Sequence, residues 1–250
     1  MNWVCMIEKC VCKTPYKTRK VGVNKLFIPN LFIESHCVSG DIALIELTEQ
    51  FKKRKTILAN KTTKLPLNNI LYVSGYGYDP ERQPLIDIDE LKTAKVKILN
   101  KCPKTFENIN YNNDLICADE VIFDQNVCEG DSGAAITDFN GNIFGLVSYG
   151  TQCDKMFNDD QRGLPNECLE YANSEVYTNV TYYLPFICGI IGINEDIGCL
   201  LENVKKSKEQ PYFEIKRNGK ISKNAPNFEA EEVIFEYDDD NNERSNSNEL

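Results

Sequence analysis

Histidine is almost absent from this chain, which has His36 alone among 250 residues. Basic residues are also outnumbered, with 28 Lys and Arg against 38 Asp and Glu, so the formal net charge is −10. Such a surface repels a phosphate backbone, and we expect no nucleic-acid partner. Long apolar runs are missing too, because the longest, residues 184–193, contains a proline and two glycines. It is shorter than the about 20 residues that a membrane span requires.

Cysteine, in contrast, is abundant. Eleven cysteines are scattered along the chain, which favours a disulfide framework in a secreted or extracellular protein. Eleven is an odd number, so at least one thiol lacks an intrachain partner. The first residues lack the apolar stretch of a secretory signal and therefore do not support secretion. Cys10 and Cys12 are close together, but no second close pair completes a four-ligand zinc site, and we expect neither a metal nor a cofactor.

The folded part of the chain has the pattern of an all-β protein. Between residues 41 and 200, short apolar runs alternate with Gly, Asn and Pro clusters, which predicts a barrel or a sandwich. Residues 182–193 predict a terminal helix. Residues 229–250 contain nine acidic residues and one Arg, a composition that cannot offset its chain entropy. We interpret residues 202–250 as a mostly disordered acidic low-complexity tail, with an acidic interaction segment as the alternative.

Residues 128–150 predict a β-hairpin. Asn140 and Gly141 lie between two apolar runs, and a two-residue turn at this position needs a positive φ at both residues. Centring the turn there makes the numbers of paired residues sum to 281. Ser132 then lies opposite Tyr149. Cys128 lies opposite Cys153, as a disulfide requires.

The loop before the hairpin has a glycine on each side of its central pair. Gly130 and Gly133 flank Asp131 and Ser132 and permit backbone conformations in which successive N–H groups converge, as in an oxyanion hole. A serine between glycines is more often an ordinary turn residue. The loop alone therefore leaves both interpretations open.

The same loop resembles the nucleophile motif of the chymotrypsin/trypsin-like serine proteases, Cys-x-Gly-Asp-Ser-Gly. Five further segments resemble that family in order and spacing: residues 41–47, 73–77, 115–118, 148–150 and 176–180. About 93 positions separate the aspartate and the serine of the family's catalytic triad, and 91 separate Asp41 from Ser132. The resemblance covers about residues 24–195. It implies a chymotrypsin-like double β-barrel with an incomplete first barrel and a C-terminal helix. It also implies that residues 1–201 are a partial protease domain.

The resemblance implies a role for each matching residue. Ser132 is expected to be the nucleophile and Asp41 the orienting carboxylate, with the N–H groups of Gly130 and Ser132 as oxyanion donors. The expected substrate-binding residues are Asn126, Ser148, Tyr149, Gly150 and Glu175. The expected disulfides are Cys102–Cys117 and Cys128–Cys153. The remaining cysteines, Cys5, Cys10, Cys12, Cys37, Cys168, Cys188 and Cys199, stay unassigned.

Two of the expected pocket residues depart from the trypsin-like pattern. Asn126 stands on the pocket floor where trypsin-like enzymes have Asp, so a simple preference for Arg or Lys is not expected. Glu175 stands on the pocket wall, where the family usually has glycine. Its carboxylate could bind a basic substrate side chain or narrow the pocket. Alternatively, it could face the solvent.

The general base of the catalytic triad has no counterpart in this chain. In the family's template the histidine lies about 45 residues before the aspartate, and that position precedes Met1. His36, five residues before Asp41, is interpreted as an exposed loop residue. A serine hydroxyl needs a base to become nucleophilic. The sequence therefore predicts a serine endopeptidase homologue that is inactive as given.

Two explanations of the missing histidine remain open. The favoured one is an incomplete gene model of a protease that cleaves peptides or proteins through an acyl-enzyme on Ser132. The alternative is a pseudoprotease that holds peptides, proteins or a protein inhibitor in the same cleft without hydrolysing them.

Overall fold

The computed structural model describes residues 21–50, 57–59, 69–78, 91–102, 114–122, 125–150, 153 and 174–224. The unassigned Cys5, Cys10, Cys12 and Cys168 lie outside these residues, as do residues 225–250 of the expected tail. Among the described residues, no helix is both long and apolar enough to cross a bilayer.

The described residues form eleven strands and three α-helices, with two short 3-10 helices at Glu195–Ile197 and Ser207–Glu209. The strands are β1 (Val23–Pro29), β2 (Leu44–Leu47), β3 (Ile57–Leu58), β4 (Ile70–Gly75), β5 (Lys92–Ile98), β6 (Leu115–Glu120), β7 (Ala135–Thr137), β8 (Asn142–Tyr149), β9 (Ser174–Asn179), β10 (Tyr212–Lys216) and β11 (Ile221–Asn224). The helices are α1 (Asn30–Glu34), α2 (Leu184–Ile191) and α3 (Leu201–Lys206).

The larger sheet closes into a barrel. Its strand order is β3-β8-β7-β4-β5-β6-β9, and β9 pairs back with β8. Alternate side chains of a strand point to opposite faces, so the inward residues of six strands fill one core. Leu71, Val96, Ile136, Phe144 and Tyr177 are buried there. The predicted all-β, chymotrypsin-like fold with a complete second barrel is confirmed.

The predicted hairpin is present, but its turn differs from the predicted one. Ala135 pairs with Leu146 and Ile136 with Gly145, so the predicted register holds for both pairs. The register then shifts, and of the two turn residues only Gly141 has a positive φ, +80°. The Asp138 carboxylate accepts the N–H groups of Asn140 and Asn142, at 2.9 Å each. These bonds stabilise a turn longer than two residues.

The smaller sheet corrects the predicted domain boundary. Its order is β11-β10-β1-β2, and β1 pairs with β2 on one side and β10 on the other. Strands β10 and β11 lie beyond residue 201, and helix α3 begins at that residue. The boundary at residue 202 is therefore wrong, because residues 202–224 include a helix and two sheet strands. The acidic composition that suggested a tail begins only at residue 229.

The predicted terminal helix is α2. Its residues Leu184, Phe186, Ile187 and Cys188 are buried, and Pro185 lies in the first turn, where its missing N–H costs no helical hydrogen bond. Cys188 forms a disulfide with Cys199, and neither side chain is exposed. The sequence analysis left both cysteines unassigned. This bridge joins the helix to the segment that leads into β10.

We expect the Cys188→Ala/Cys199→Ala double variant to lose about 2–4 kcal/mol of unfolding free energy, because the bridge restricts the unfolded chain. Urea denaturation followed by circular dichroism measures the loss. Cys37→Ser is the matched control, since Cys37 is free and exposed, and its effect should stay within about 0.5 kcal/mol. Equal stability of the double variant and the wild type would show that the bridge contributes nothing.

Candidate active site

Asp41 is held at the junction of the two sheets. Its carboxylate Oδ2 accepts a hydrogen bond from the Ser148 hydroxyl at 2.7 Å, and its carbonyl accepts one from the Thr178 hydroxyl at 2.7 Å. Ser148 belongs to β8 and Thr178 to β9, whereas Asp41 leads into β2. Strand β8 thus holds the carboxylate of Asp41, and strand β9 holds its backbone carbonyl.

A buried carboxylate that the sequence analysis missed supports the backbone before Asp41. Asp114 is fully buried, and its Oδ2 accepts hydrogen bonds from the Ser39 hydroxyl, the Gly40 N–H at 3.2 Å and the Tyr183 hydroxyl at 2.8 Å. Burial and the nearby Asp114 carboxylate raise the pKa of Tyr183 above its ordinary value. In the sequence, Asp114 resembles any acidic residue before a strand, so no local pattern indicated this contact.

The loop that carries Ser132 is anchored to β8. Gly133 N–H donates to the Val147 carbonyl at 2.9 Å, and Val147 N–H donates to the Ala134 carbonyl at 2.8 Å. Ser132 is exposed and directly precedes this ladder. It therefore lies close to the strand whose Ser148 contacts Asp41. Gly130 and Gly133 have positive φ values, +93° and +80°, which glycine adopts without strain.

The Asp131 carboxylate is held by backbone N–H groups. Gly77 N–H donates to its Oδ1 at 2.7 Å, and Cys128 N–H donates to its Oδ2 at 3.0 Å. The Ser-Gly-Tyr-Gly segment supplies the space for this contact. A Cβ at Gly75 or Gly77 would lie 2.0 Å or 2.3 Å from atoms of the Asp131 side chain. The sequence analysis matched this segment to the family but did not predict its contact with Asp131.

Both expected disulfides are present. Cys128 bonds to Cys153, and Cys102 bonds to Cys117. The first links the start of the nucleophile loop to the segment after β8, as the hairpin register predicted.

Glu175 is buried rather than directed at solvent, so the solvent-facing interpretation is wrong. The side chain has no exposed surface. Its Oε1 accepts the Val127 N–H at 2.7 Å, and its Oε2 accepts the Tyr177 hydroxyl. Burial raises the pKa of Glu175 to about 7, although the two hydrogen bonds oppose that rise. The neighbouring carboxylates of Glu120 and Asp131 add to it.

Two further residues of the expected pocket, Asn126 and Gly150, lie next to Val127. Asn126 donates from its side-chain amide to the Glu120 carboxylate at 2.7 Å. Gly150 packs closely on the backbone, since a Cβ at this position would lie 2.6 Å from the Val127 carbonyl oxygen. Glu175 contacts the Val127 N–H, so Gly150 and Glu175 meet at the residue that directly precedes the loop carrying Ser132.

Tyr149 connects β8 to the loop before Asp41. Its hydroxyl donates to the Cys37 carbonyl at 3.1 Å. Burial is the main cause that raises the pKa of the Tyr149 hydroxyl, and the Asp41 carboxylate adds to the rise. His36 and Cys37 both have positive φ values, +55° and +67°, and His36 is exposed. The structure thus places Asp41, Ser148 and Tyr149 together, next to the only histidine of the chain.

The closed barrel, the smaller sheet packed beside it and the Gly-Asp-Ser-Gly loop at their junction define the class of chymotrypsin-like serine protease domains. The sequence model of the family described as Trypsin matches residues 7–160. This match includes more than half of the chain, which therefore belongs to the trypsin family.

Three known proteins illustrate the similarity. Urokinase-type plasminogen activator of Gallus gallus is 28% identical over 165 residues, which are 59% of this chain and 34% of that protein. Snake venom serine protease serpentokallikrein-2 of Protobothrops mucrosquamatus is 26% identical, over 64% of this chain and 58% of that protein. The crystal structure of a scabies mite inactivated protease paralogue has a TM-score of 0.46 and 22% identity, over 66% of each chain. This chain spans between a third and three fifths of the length of the two curated relatives.

We expect Gly77→Ala to lower the unfolding free energy by about 1–3 kcal/mol, because the added methyl group displaces the Asp131 carboxylate from its N–H donors. Urea denaturation gives the value. Gly22→Ala is the control, since a Cβ there meets only the Thr48 side chain at 3.3 Å. A loss no greater than that of the control would contradict the described contact.

Stability should also depend on the ionisation of Glu175. The pKa of this carboxyl is about 7 in the folded protein and about 4.3 in an unfolded chain. The folded state thus binds the proton more tightly. The stabilisation that proton binding at Glu175 provides is complete below about pH 4 and is lost as the pH rises through 7, by an amount on the order of 4 kcal/mol.

Glu175→Gln replaces the neutral acid with an uncharged side chain of the same shape. We expect the unfolding free energies of the variant and the wild type to be similar near pH 5. The variant should be the more stable protein near pH 8, because it has no charge to bury. Denaturant titrations across this range measure the difference, and parallel pH profiles of the two proteins would rule out a titrating buried carboxyl.

Proposed function

We propose that this chain presents the cleft of a serine endopeptidase, with Ser132 in the nucleophile position and Asp41 as the orienting carboxylate, and that it does not hydrolyse peptides by itself. The hydrogen bond from Ser148 to Asp41 carries the proposal. It keeps the carboxylate beside the β8 segment to which the nucleophile loop is anchored.

The proposed chemistry is peptide hydrolysis through an acyl-enzyme. The Ser132 oxygen attacks the scissile carbonyl carbon and loses its proton to an imidazole. The N–H groups of Gly130 and Ser132 donate to the oxyanion, and water then hydrolyses the ester. His36 is the only imidazole among the 250 residues, and it lies on the exposed loop before Asp41. Loss of the base from such a triad typically lowers kcat by about a million-fold.

The incomplete protease remains the favoured explanation, with a base supplied by sequence outside this chain. A non-catalytic binding module is the second candidate, and Glu175 favours it. Its fully buried carboxylate occupies the wall of the expected specificity pocket, with both oxygens already hydrogen-bonded. Because the Glu175 carboxylate is already occupied, such a module would bind an extended peptide by pairing it with the backbone of residues 148–150. Peptides, proteins and protein inhibitors all fit this mode.

We infer an extracellular location from the disulfides. The described residues contain three bridges, and such bonds persist in oxidising compartments.

A fluorophosphonate probe tests the proposal, because it labels only an activated serine. We expect no labelling of Ser132 in the folded 250-residue chain, measured by mass spectrometry of the digested protein. Ser132→Ala provides the background. Labelling of Ser132 above that background would overturn the proposed inactivity.

Extension of the chain by the sequence encoded upstream of Met1 separates the two candidates. An Ala-His-Cys-like segment there, together with probe labelling of the extended protein, would establish the protease. Its absence would establish the binding module.

A further inference from the structure

Val127 is held in place by contacts on several sides. Its side chain is 1% exposed and belongs to the core of the barrel. Its N–H donates to Oε1 of the buried Glu175 at 2.7 Å, and its carbonyl oxygen lies 3.8 Å from the sulfur of Cys153. The bridge from Cys153 to Cys128 fixes that sulfur. The side chain, the N–H group and the carbonyl of Val127 therefore all contact other parts of the chain.

Gly150 lies directly against Val127. A Cβ at residue 150 would lie 2.6 Å from the Val127 carbonyl oxygen and 3.2 Å from one of its γ-methyl carbons. The first distance is shorter than a van der Waals contact, so the space between the two residues does not admit one methyl group. The segments 126–128 and 148–150 are thus in contact with each other.

This contact lies where the trypsin resemblance implies a specificity pocket. Asn126 is expected on the floor of that pocket and Glu175 on its wall, with Gly150 beside them. The Asn126 side-chain amide donates to the Glu120 carboxylate at 2.7 Å. Both carboxylate oxygens of Glu175 accept hydrogen bonds from the chain itself. The groups that were expected to line a pocket contact one another instead of a substrate side chain.

The strand beside this closed space keeps an accessible edge. Tyr149 and Gly150 are exposed, so their backbone can pair with an extended peptide. In serine proteases the residue before the scissile bond directs its side chain into the specificity pocket. In this chain such a side chain would meet Gly150 and Val127. Glycine avoids the collision, because it has no Cβ.

The Glu175 carboxylate does not compensate for the lack of space. A carboxylate on a pocket wall can pair with a basic side chain, but the Glu175 side chain has no exposed surface. A lysine that reached it would displace the Val127 N–H and leave a buried donor without its acceptor. Space, rather than charge, therefore selects the peptide.

We propose that Val127, Gly150 and Glu175 close the specificity pocket, so that the cleft accepts glycine, and not a residue with a side chain, directly before the position of the scissile bond. This inference rests on the proposed function, because it requires an extended peptide to pair with residues 148–150. It names the class of peptide that the cleft takes.

Binding of four tripeptides to the ¹⁵N-labelled 250-residue chain tests the proposal. The peptides are acetyl-Ala-Ala-Gly and its variants that end in Leu, Phe or Lys. Each has a free carboxylate, which places its last residue at the proposed oxyanion donors. The amide shifts of Tyr149 and Gly150 report pairing and give each Kd. We expect the glycine peptide to bind at least about tenfold more tightly than the other three.

The titrations are made near pH 8. The pKa of Glu175 is about 7, so the carboxyl is largely ionised there, and a lysine peptide has its best opportunity to bind.

Two variants of Glu175 separate the effect of volume from that of charge. Glu175→Gln retains the volume of the side chain, and we expect it to retain the preference for glycine. Glu175→Gly removes the side chain and the acceptor of the Val127 N–H. We expect its preference for glycine to fall several-fold, through tighter binding of the leucine peptide. Circular dichroism verifies that both variants are folded.

Carboxyl footprinting of the wild-type chain measures the closure without any peptide. A water-soluble carbodiimide couples glycine ethyl ester to accessible carboxyl groups, and mass spectrometry gives the rate at each residue. Glu129 is the matched control, because it is exposed and lies in the neighbouring loop. We expect Glu175 to react at least about tenfold more slowly than Glu129. Equal rates would overturn the closed pocket.

The peptide titrations distinguish failure of this inference from failure of the proposed function. Equal binding of all four peptides to the wild-type chain, or tightest binding of a peptide that ends in Leu, Phe or Lys, would overturn the closed pocket and retain the peptide-binding cleft. An unchanged preference in Glu175→Gly would show that Glu175 does not close the pocket. Unchanged shifts of Tyr149 and Gly150 with every peptide, in the wild type and in Glu175→Gly, would overturn the proposed pairing and this inference with it.

Discussion

The hydrogen bond between the Ser148 hydroxyl and the Asp41 carboxylate joins the closed barrel to the loop that leads into the smaller sheet. Ser148 comes from the closed barrel, whereas Asp41 comes from the loop that leads into β2. The Asp114 carboxylate reinforces this junction, because it accepts hydrogen bonds from Ser39 and Gly40 of the same loop and from Tyr183 beside helix α2. A buried carboxylate is costly without donors, so the fully buried Asp114 requires both the loop and Tyr183 to be in place.

A third carboxylate organises the nucleophile loop in the same way. Asp131 is held by N–H groups of Gly77 and Cys128, in a space that exists only because residues 75 and 77 lack a Cβ. The position of Ser132 thus follows from backbone contacts of the barrel. The contacts that hold Asp131 involve no histidine.

The segment after helix α2 changes the interpretation of the first barrel. The sequence suggested that the fold ended near residue 201, but strand β10 completes the pairing of β1 and strand β11 extends the sheet. The Cys188–Cys199 bridge holds the start of this segment against the helix. One face of the resulting sheet packs on α2 through Phe27 and Tyr212.

The sequence by itself determined the features that depend on local spacing. These are the all-β pattern, the hairpin register, the Cys128–Cys153 bridge and the glycine-flanked Ser132, all of which follow from the order of a few neighbouring residues. Only the tertiary structure decided which distant groups meet. Asp114 reaches Ser39 across 75 positions, and Glu175 reaches Val127 across 48. Burial and long-range hydrogen bonds arise when the sheets pack, and no local pattern of residues encodes them.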